Sequence, residues 1–148
     1  MADSGLVDAA VMELLANDAT LSALCPDGVY WNIRPPRVPP NPPASAFVIV
    51  ALFDHIEQPG LGGITLWERT TYLVISRILA QSRTQARQAA ARIQALLHGA
   101  LPDLTAAGYT AMDFRRIDRV TLTEVDPINS ATWHHFGGRY ELMHYPTT

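Results

Sequence analysis

The sequence predicts an α+β domain: an antiparallel sheet of about four strands with two main helices packed on one face, in the order α-β-β-α-β-β. Three observations predict it. In residues 63–100 a run rich in Thr, Tyr, Val, Ile and Leu passes straight into an alanine-rich stretch with helical spacing, so the hydrophobic period switches within one segment. Residues 46–53 (AFVIVALF) are apolar on both alternations, as in a central strand, and a Gly- and Pro-containing connector at 54–63 joins them to that segment as a hairpin. Residues 109–125 and 132–145 each carry strand character and flank Asp-Pro-Ile-Asn-Ser at 126–130, which is turn chemistry. The chain of 148 residues fits a single domain over 1–148 with one core.

Taken in order, Asp3 or Ser4 can cap a first helix whose apolar stripe is Leu6, Val7, Ala10, Val11, Leu14 and Leu15. Asn17 and Asp18 interrupt it, and Asp18 can cap a second short turn carrying Leu21 and Leu24. Val29, Tyr30 and Trp31 read as a short extended piece. A proline-rich arm or loop follows at 34–43, with six prolines that fix φ and remove backbone donors, so it cannot be sheet interior. Its PxxP spacings allow an SH3-type ligand, but the flanking basic residues such grooves demand are missing, and a stiff connector or subunit-contact arm is favoured. In the strand over 67–80, Tyr72, Leu73, Val74 and Ile75 are apolar at successive positions, which suits a strand covered on both faces. Ser82 and Gln85 have capping-box spacing, Ala86, Ala90, Ile93 and Leu97 repeat at helical intervals, and Gly99 suits the left-handed stop. Residues 102–108 read as a loop, and the next strand carries Arg115, Arg116, Asp118 and Arg119 toward solvent or a partner. In the last strand Phe136, Tyr140 and Leu142 share one face, and His135, Arg139, Glu141 and Met143 the other.

A net charge of −3 argues against a basic nucleic-acid binder, and all 11 basic residues are arginine. The one cysteine, Cys25, sits among apolar residues and is expected to pack as a small hydrophobe. No apolar run approaches the ~20 residues of a membrane span, and the acidic N-terminus does not read as a signal peptide, so synthesis in the cytoplasm with no membrane partner is expected.

The sequence points to no catalytic, cofactor or metal site. His134 and His135 point to opposite faces of a strand, and His134 and His144 lie ten residues apart, roughly 33 Å on an ideal strand. They read as surface or interface histidines. There is no GxSxG elbow, and the PGLGG at 59–63 precedes a strand instead of the helix a phosphate cradle needs. Arg83 and Arg87 lie one helical turn apart and can meet phosphate or carboxylate, with a solvated face as the plain reading.

The opening DATLSALCPDGVYW (residues 18–31), the proline-containing loop, the hydrophobic strand, the long strand with its alanine-rich helix, and the final Gly138-Arg139-Tyr140-Glu141-Leu142 together resemble the tail-completion proteins of bacteriophages, the lambda minor tail protein U-like tail terminators of long-tailed phages. The resemblance covers nearly the whole chain. It implies a non-enzymatic virion protein, assembled in the host cytoplasm, that forms a six-fold ring at the head-proximal end of the tail. Such a ring ends tube growth and contacts copies of itself, the tail tube protein and the head-side connector, while DNA passes through the lumen without specific binding. On this reading the candidate interaction residues are Gln58, Leu61 and Gly62 in one hairpin tip, Ile128 and Asn129 in the other, Arg34 and Arg37 in the arm, and Arg115, Arg119, Arg139 and Glu141 on strand faces. Two other readings stand beside it: a head-side stopper or adaptor of the same particle, and a small α+β ligand-binding or enzymatic domain.

Overall fold

A computed structural model describes residues 2–34 and 44–147; Arg37 and the rest of the expected proline-rich arm after Arg34 lie outside the described residues. The elements are α1 (Ser4–Ala16), α2 (Ala19–Leu24), β1 (Val29–Trp31), β2 (Ala46–Pro59), β3 (Thr65–Leu79), α3 (Thr84–Leu97), β4 (Tyr109–Val125) and β5 (Thr132–Pro146), with single 3-10 turns at Leu61–Gly63 and Thr105–Ala107. The strands form one sheet in the order β1-β2-β3-β5-β4. The α+β layer is as expected, but among the described residues it has five strands and three helices instead of four and two. The extra strand is β1, which runs parallel to β2 with Val29 opposite Val48. Three residues are too few to show an alternation, and a parallel return needs a long connection, which residues 32–45 supply.

Local chemistry sets the helix ends. Asp3 caps α1, its Oδ1 accepting from the Gly5 N–H at 2.9 Å. Asp18 caps α2 by accepting from the Leu21 N–H at 2.8 Å. The same carboxylate takes Arg92 of α3 in a bidentate grip, 2.9 Å from Nε and 2.5 Å from Nη2, and so ties α2 to α3. The expected capping box at Ser82 and Gln85 does not form. Ser82 Oγ accepts from the Thr84 N–H at 3.1 Å, while the Gln85 amide donates to the Leu24 carbonyl at 2.7 Å, satisfying the open end of α2 instead.

Every second residue of the strands faces the helices. Val48, Val50, Tyr72, Val74, Ile78, Phe114, Phe136, Tyr140 and Leu142 meet Val7, Val11, Leu15, Ile93 and Leu97 in one core. Leu6, expected in the α1 stripe, is 46 % exposed. Cys25 is buried and free. The Tyr72 hydroxyl donates to Asp8 at 2.6 Å, fixing α1 on the centre of the sheet. Among the described residues no helix is long and apolar enough to cross a membrane.

The helix layer is shorter than the sheet. Fourteen residues of α3 span about 20 Å, whereas the 15 residues of β3 span about 50 Å. Strand β2, which becomes the sheet edge past its three pairs with β1, is buried or half-buried to Ala51 and exposed from Leu52 to Pro59. The residues read as a connector from 54 onward are therefore strand as far as Pro59, and the turn itself is confined to Gly60–Ile64. A bulge after Leu52 breaks the alternation there, which is why a strand reading stops at Phe53.

Two substitutions test this packing. Asp18→Ala should cost about 1 kcal/mol in urea unfolding, from the lost cap alone. Arg92 holds the Asp18 carboxyl down at about 2. Because the folded value is depressed, that stabilisation is present above the unfolded value of 3.8 and lost as pH falls toward 2; acid titration of the alanine variant should lack this component. At Gly137 a Cβ would stand 2.0 Å from the Val74 carbonyl oxygen, so Gly137→Ala should cost about 3 kcal/mol by the same assay.

Candidate functional site

The face of the sheet turned away from the helices has no described helix over it. It is nonetheless apolar along its middle: Ile49 and Ala51 of β2 lie beside Ile75 and Leu73 of β3, all half-buried. The run at 72–75 thus carries the signal of two covered faces, while this chain's described residues cover only the one holding Tyr72 and Val74.

Around that apolar strip, long side chains pair across the strands. Glu141 of β5 is 6 % exposed and takes Arg115 at 3.1 Å and Arg69 at 3.5 Å. Arg139 Nε lies 2.9 and 3.0 Å from the two Asp118 oxygens, and its guanidinium stands 4.7 Å above the Phe53 ring. The arginine holds the Asp118 carboxyl below the usual carboxylate range. At the other end of the face, Arg77 lies 5.6 Å from the ring centres of both Phe47 and Trp133, and Arg34 lies 5.5 Å from Phe47. Arg77 Nε donates to His135 Nδ1 at 3.1 Å, so the ring proton sits on Nε2, 2.9 Å from Glu124. Burial, then Arg77, pushes the His135 pKa down.

Of the residues singled out on strand faces, Arg115, Arg139 and Glu141 share this open face, already engaged within the chain. Arg119 does not join them. A bulge between Arg116 and Asp118 turns it to the helix side, opposite Gly138. There it lines a groove of about 380 Å³ between α3 and β4 with Arg83, Arg87 and Arg116, over Phe136. Arg116 donates to Gln94 at 2.7 Å, and no carboxylate pairs with these four arginines among the described residues. This groove suits an anionic group.

The two hairpin tips lie at opposite ends of the sheet, since Glu68 near the first tip is paired with His144 and Leu79 with Trp133 near the second. Gln58 stands exposed at the end of β2, with Leu61 and Gly62 in the first turn. In the second, the Ile128 N–H donates to Asp126 and the Ala131 N–H to Asn129, at 2.8 and 3.0 Å. Each turn presents one almost wholly exposed apolar side chain, Leu61 at 95 % and Ile128 at 94 %.

The histidines expected on the surface are buried. His134 is 2 % exposed, with Nε2 donating to the Ala80 carbonyl at 2.9 Å and the Thr123 hydroxyl 3.0 Å from Nδ1. His144 is wholly buried, 3.2 Å from the Thr70 hydroxyl and edge-on to Tyr109. The metal-competent cluster lies elsewhere. His55, Glu57 and Glu68 bring one ligand atom each to within 4.8 Å of one another. The signal in the sequence is His-x-Glu at strand alternation, hidden by reading residues 54–63 as a connector.

No protein-family model matches the chain, and no curated protein matches it. Among solved structures, the chain is similar to one described as the virion of a native gene transfer agent particle. The two share 19 % identity with a TM-score of 0.67, over 92 % of each chain. The likeness is one of fold, end to end.

Proposed function

We propose that this chain is a structural protein of a phage-like virion, one subunit of a ring at the head-proximal end of a tail. The ring ends tube polymerisation and offers its far side to a head-side connector. The observation that carries this reading is the end-to-end fold likeness to a virion chain of a gene transfer agent particle. Three features of the chain support it. The open sheet face carries an apolar strip that a neighbouring copy would cover. Hairpin tips at opposite ends let one subunit touch two different partners, tube on one side and connector on the other. The basic α3–β4 groove and the hollow that holds Glu13 and Asp103 are unlike patches, as a head-to-tail ring contact requires. With a net charge of −3, the lumen would let DNA slide past without strong phosphate neutralisation. The reading assigns the chain no catalysis.

Deleting the gene and imaging the particles by negative stain tests the reading. Headless tails of uncontrolled length are the expected result. Tails of normal length that fail to join heads would move the protein to the connector side, and intact infectious particles would sink the structural role. At the level of residues, Leu61→Asp and Ile128→Asp should each change folding stability by less than about 0.5 kcal/mol, because both side chains are exposed. Complementation should nonetheless fail, each variant blocking attachment at a different end.

A further inference from the structure

We propose that His55, Glu57 and Glu68 form a binding site for one divalent first-row transition ion, with Zn²⁺ the best fit, at the stem of the β2–β3 hairpin. The inference rests on this chain's own residues and stands whether or not the chain forms a ring.

The register builds the cluster. Glu57 is paired with Glu68, His55 is paired with Thr70, and the two-residue step from 55 to 57 keeps both side chains on the helix side of the sheet. Two carboxylates directly opposite each other are unfavourable in a sheet. The cost is greater here because Glu68 is only 3 % exposed. Its Oε1 lies 3.2 Å from His55 Nε2, but Oε2 is buried without a hydrogen-bond partner. Behind it, the wholly buried His144 also has an unpartnered Nδ1, 3.7 Å from Oε2 and beyond hydrogen-bond reach. A cation drawn into the cluster would neutralise the facing carboxylates, while His144 Nδ1 and Glu68 Oε2 face each other behind it.

The donor set narrows the choice of ion. One imidazole nitrogen and two carboxylate oxygens suit Zn²⁺ or a neighbouring first-row ion. Ca²⁺ and Mg²⁺ prefer all-oxygen sites, and soft ions want thiolate. Ligand atoms around a tetrahedral Zn²⁺ stand about 3.3 Å apart, given bonds of about 2.0 Å. The present spread of up to 4.8 Å closes to that by rotation of the exposed Glu57 side chain and of His55, whose side chain is 28 % exposed. His144, held by the Thr70 hydroxyl, is placed to steady the Glu68 carboxylate from behind. A bound ion would clamp β2, here the sheet edge, to β3 near the hairpin end.

The test is calorimetric titration of the chelator-stripped chain with ZnCl₂, with MgCl₂ as control, alongside thermal melts with and without Zn²⁺. One Zn²⁺ per chain is expected, with no saturable Mg²⁺ binding and a Tm that rises with Zn²⁺. Glu57→Gln and His55→Ala should weaken Zn²⁺ binding by about 10–100-fold. Both positions are exposed or half-exposed, so both variants fold even if a Glu68 variant does not. The stripped Glu57→Gln chain should melt no lower than the stripped wild type, because it has lost the facing charge, yet its Tm should rise less than the wild type's at the same Zn²⁺ concentration. Absence of one-to-one binding would overturn the proposal. So would an unchanged affinity and Tm rise in both variants, which would put the ion on other histidines.

Discussion

A helix advances about 1.5 Å per residue and a strand about 3.3 Å, and most of this structure follows from that inequality. Helices and strands of nearly equal residue count are stacked, so the helix layer covers only part of one sheet face. The core collects where the layers overlap, around Tyr72, Tyr140 and Phe114. Beyond the overlap the sheet runs on to its two hairpin ends, with His55 and Glu57 on the edge strand β2 and Leu61 and Ile128 in the turns.

Among the described residues, the open face carries its own polar cover. Its apolar strip is narrow, and arginines lie across its margins with their charges matched to Glu141, Asp118 and, through His135, Glu124. Guanidinium groups over Phe47, Trp133 and Phe53 cover aromatic surface that a partner would otherwise have to bury. The Arg139–Asp118 pair is partly exposed and costs little to rearrange, whereas the nearly buried Glu141 holds Arg69 and Arg115 in place.

What could be read in the sequence was periodicity, and what could not was its interruption. The long strands, the α3 stripe and the faces of β5 were legible because alternation persists over many residues. The register breaks after Leu52 and after Arg116 shift parity in mid-strand. They cut β2 short in the sequence reading and grouped Arg119 with Arg115, although the two lie on opposite faces. The parallel β1 was hidden by brevity, and the buried histidines by polarity, since only tertiary contacts supply the Thr123, Ala80 and Thr70 groups that satisfy His134 and His144. Arg139 and Glu141 were read on the face of β5 opposite Phe136, Tyr140 and Leu142, where they lie, but their partners within the chain depend on cross-strand register.

The joining of β1 to β2 has a consequence for how the chain tolerates change. The segment between them leaves the sheet where the Asn32 N–H donates to the Val50 carbonyl at 2.8 Å. It re-enters where Asp27 accepts from the Ser45 and Ala46 N–H groups at 2.8 and 2.9 Å. Both ends are thus fastened by groups that belong to the sheet, whatever lies between them. Closing a longer loop over the same anchors costs only about 0.6 kcal/mol for each doubling of its length. The register of β1 on β2 is therefore set by these anchors and not by the length of chain that joins them.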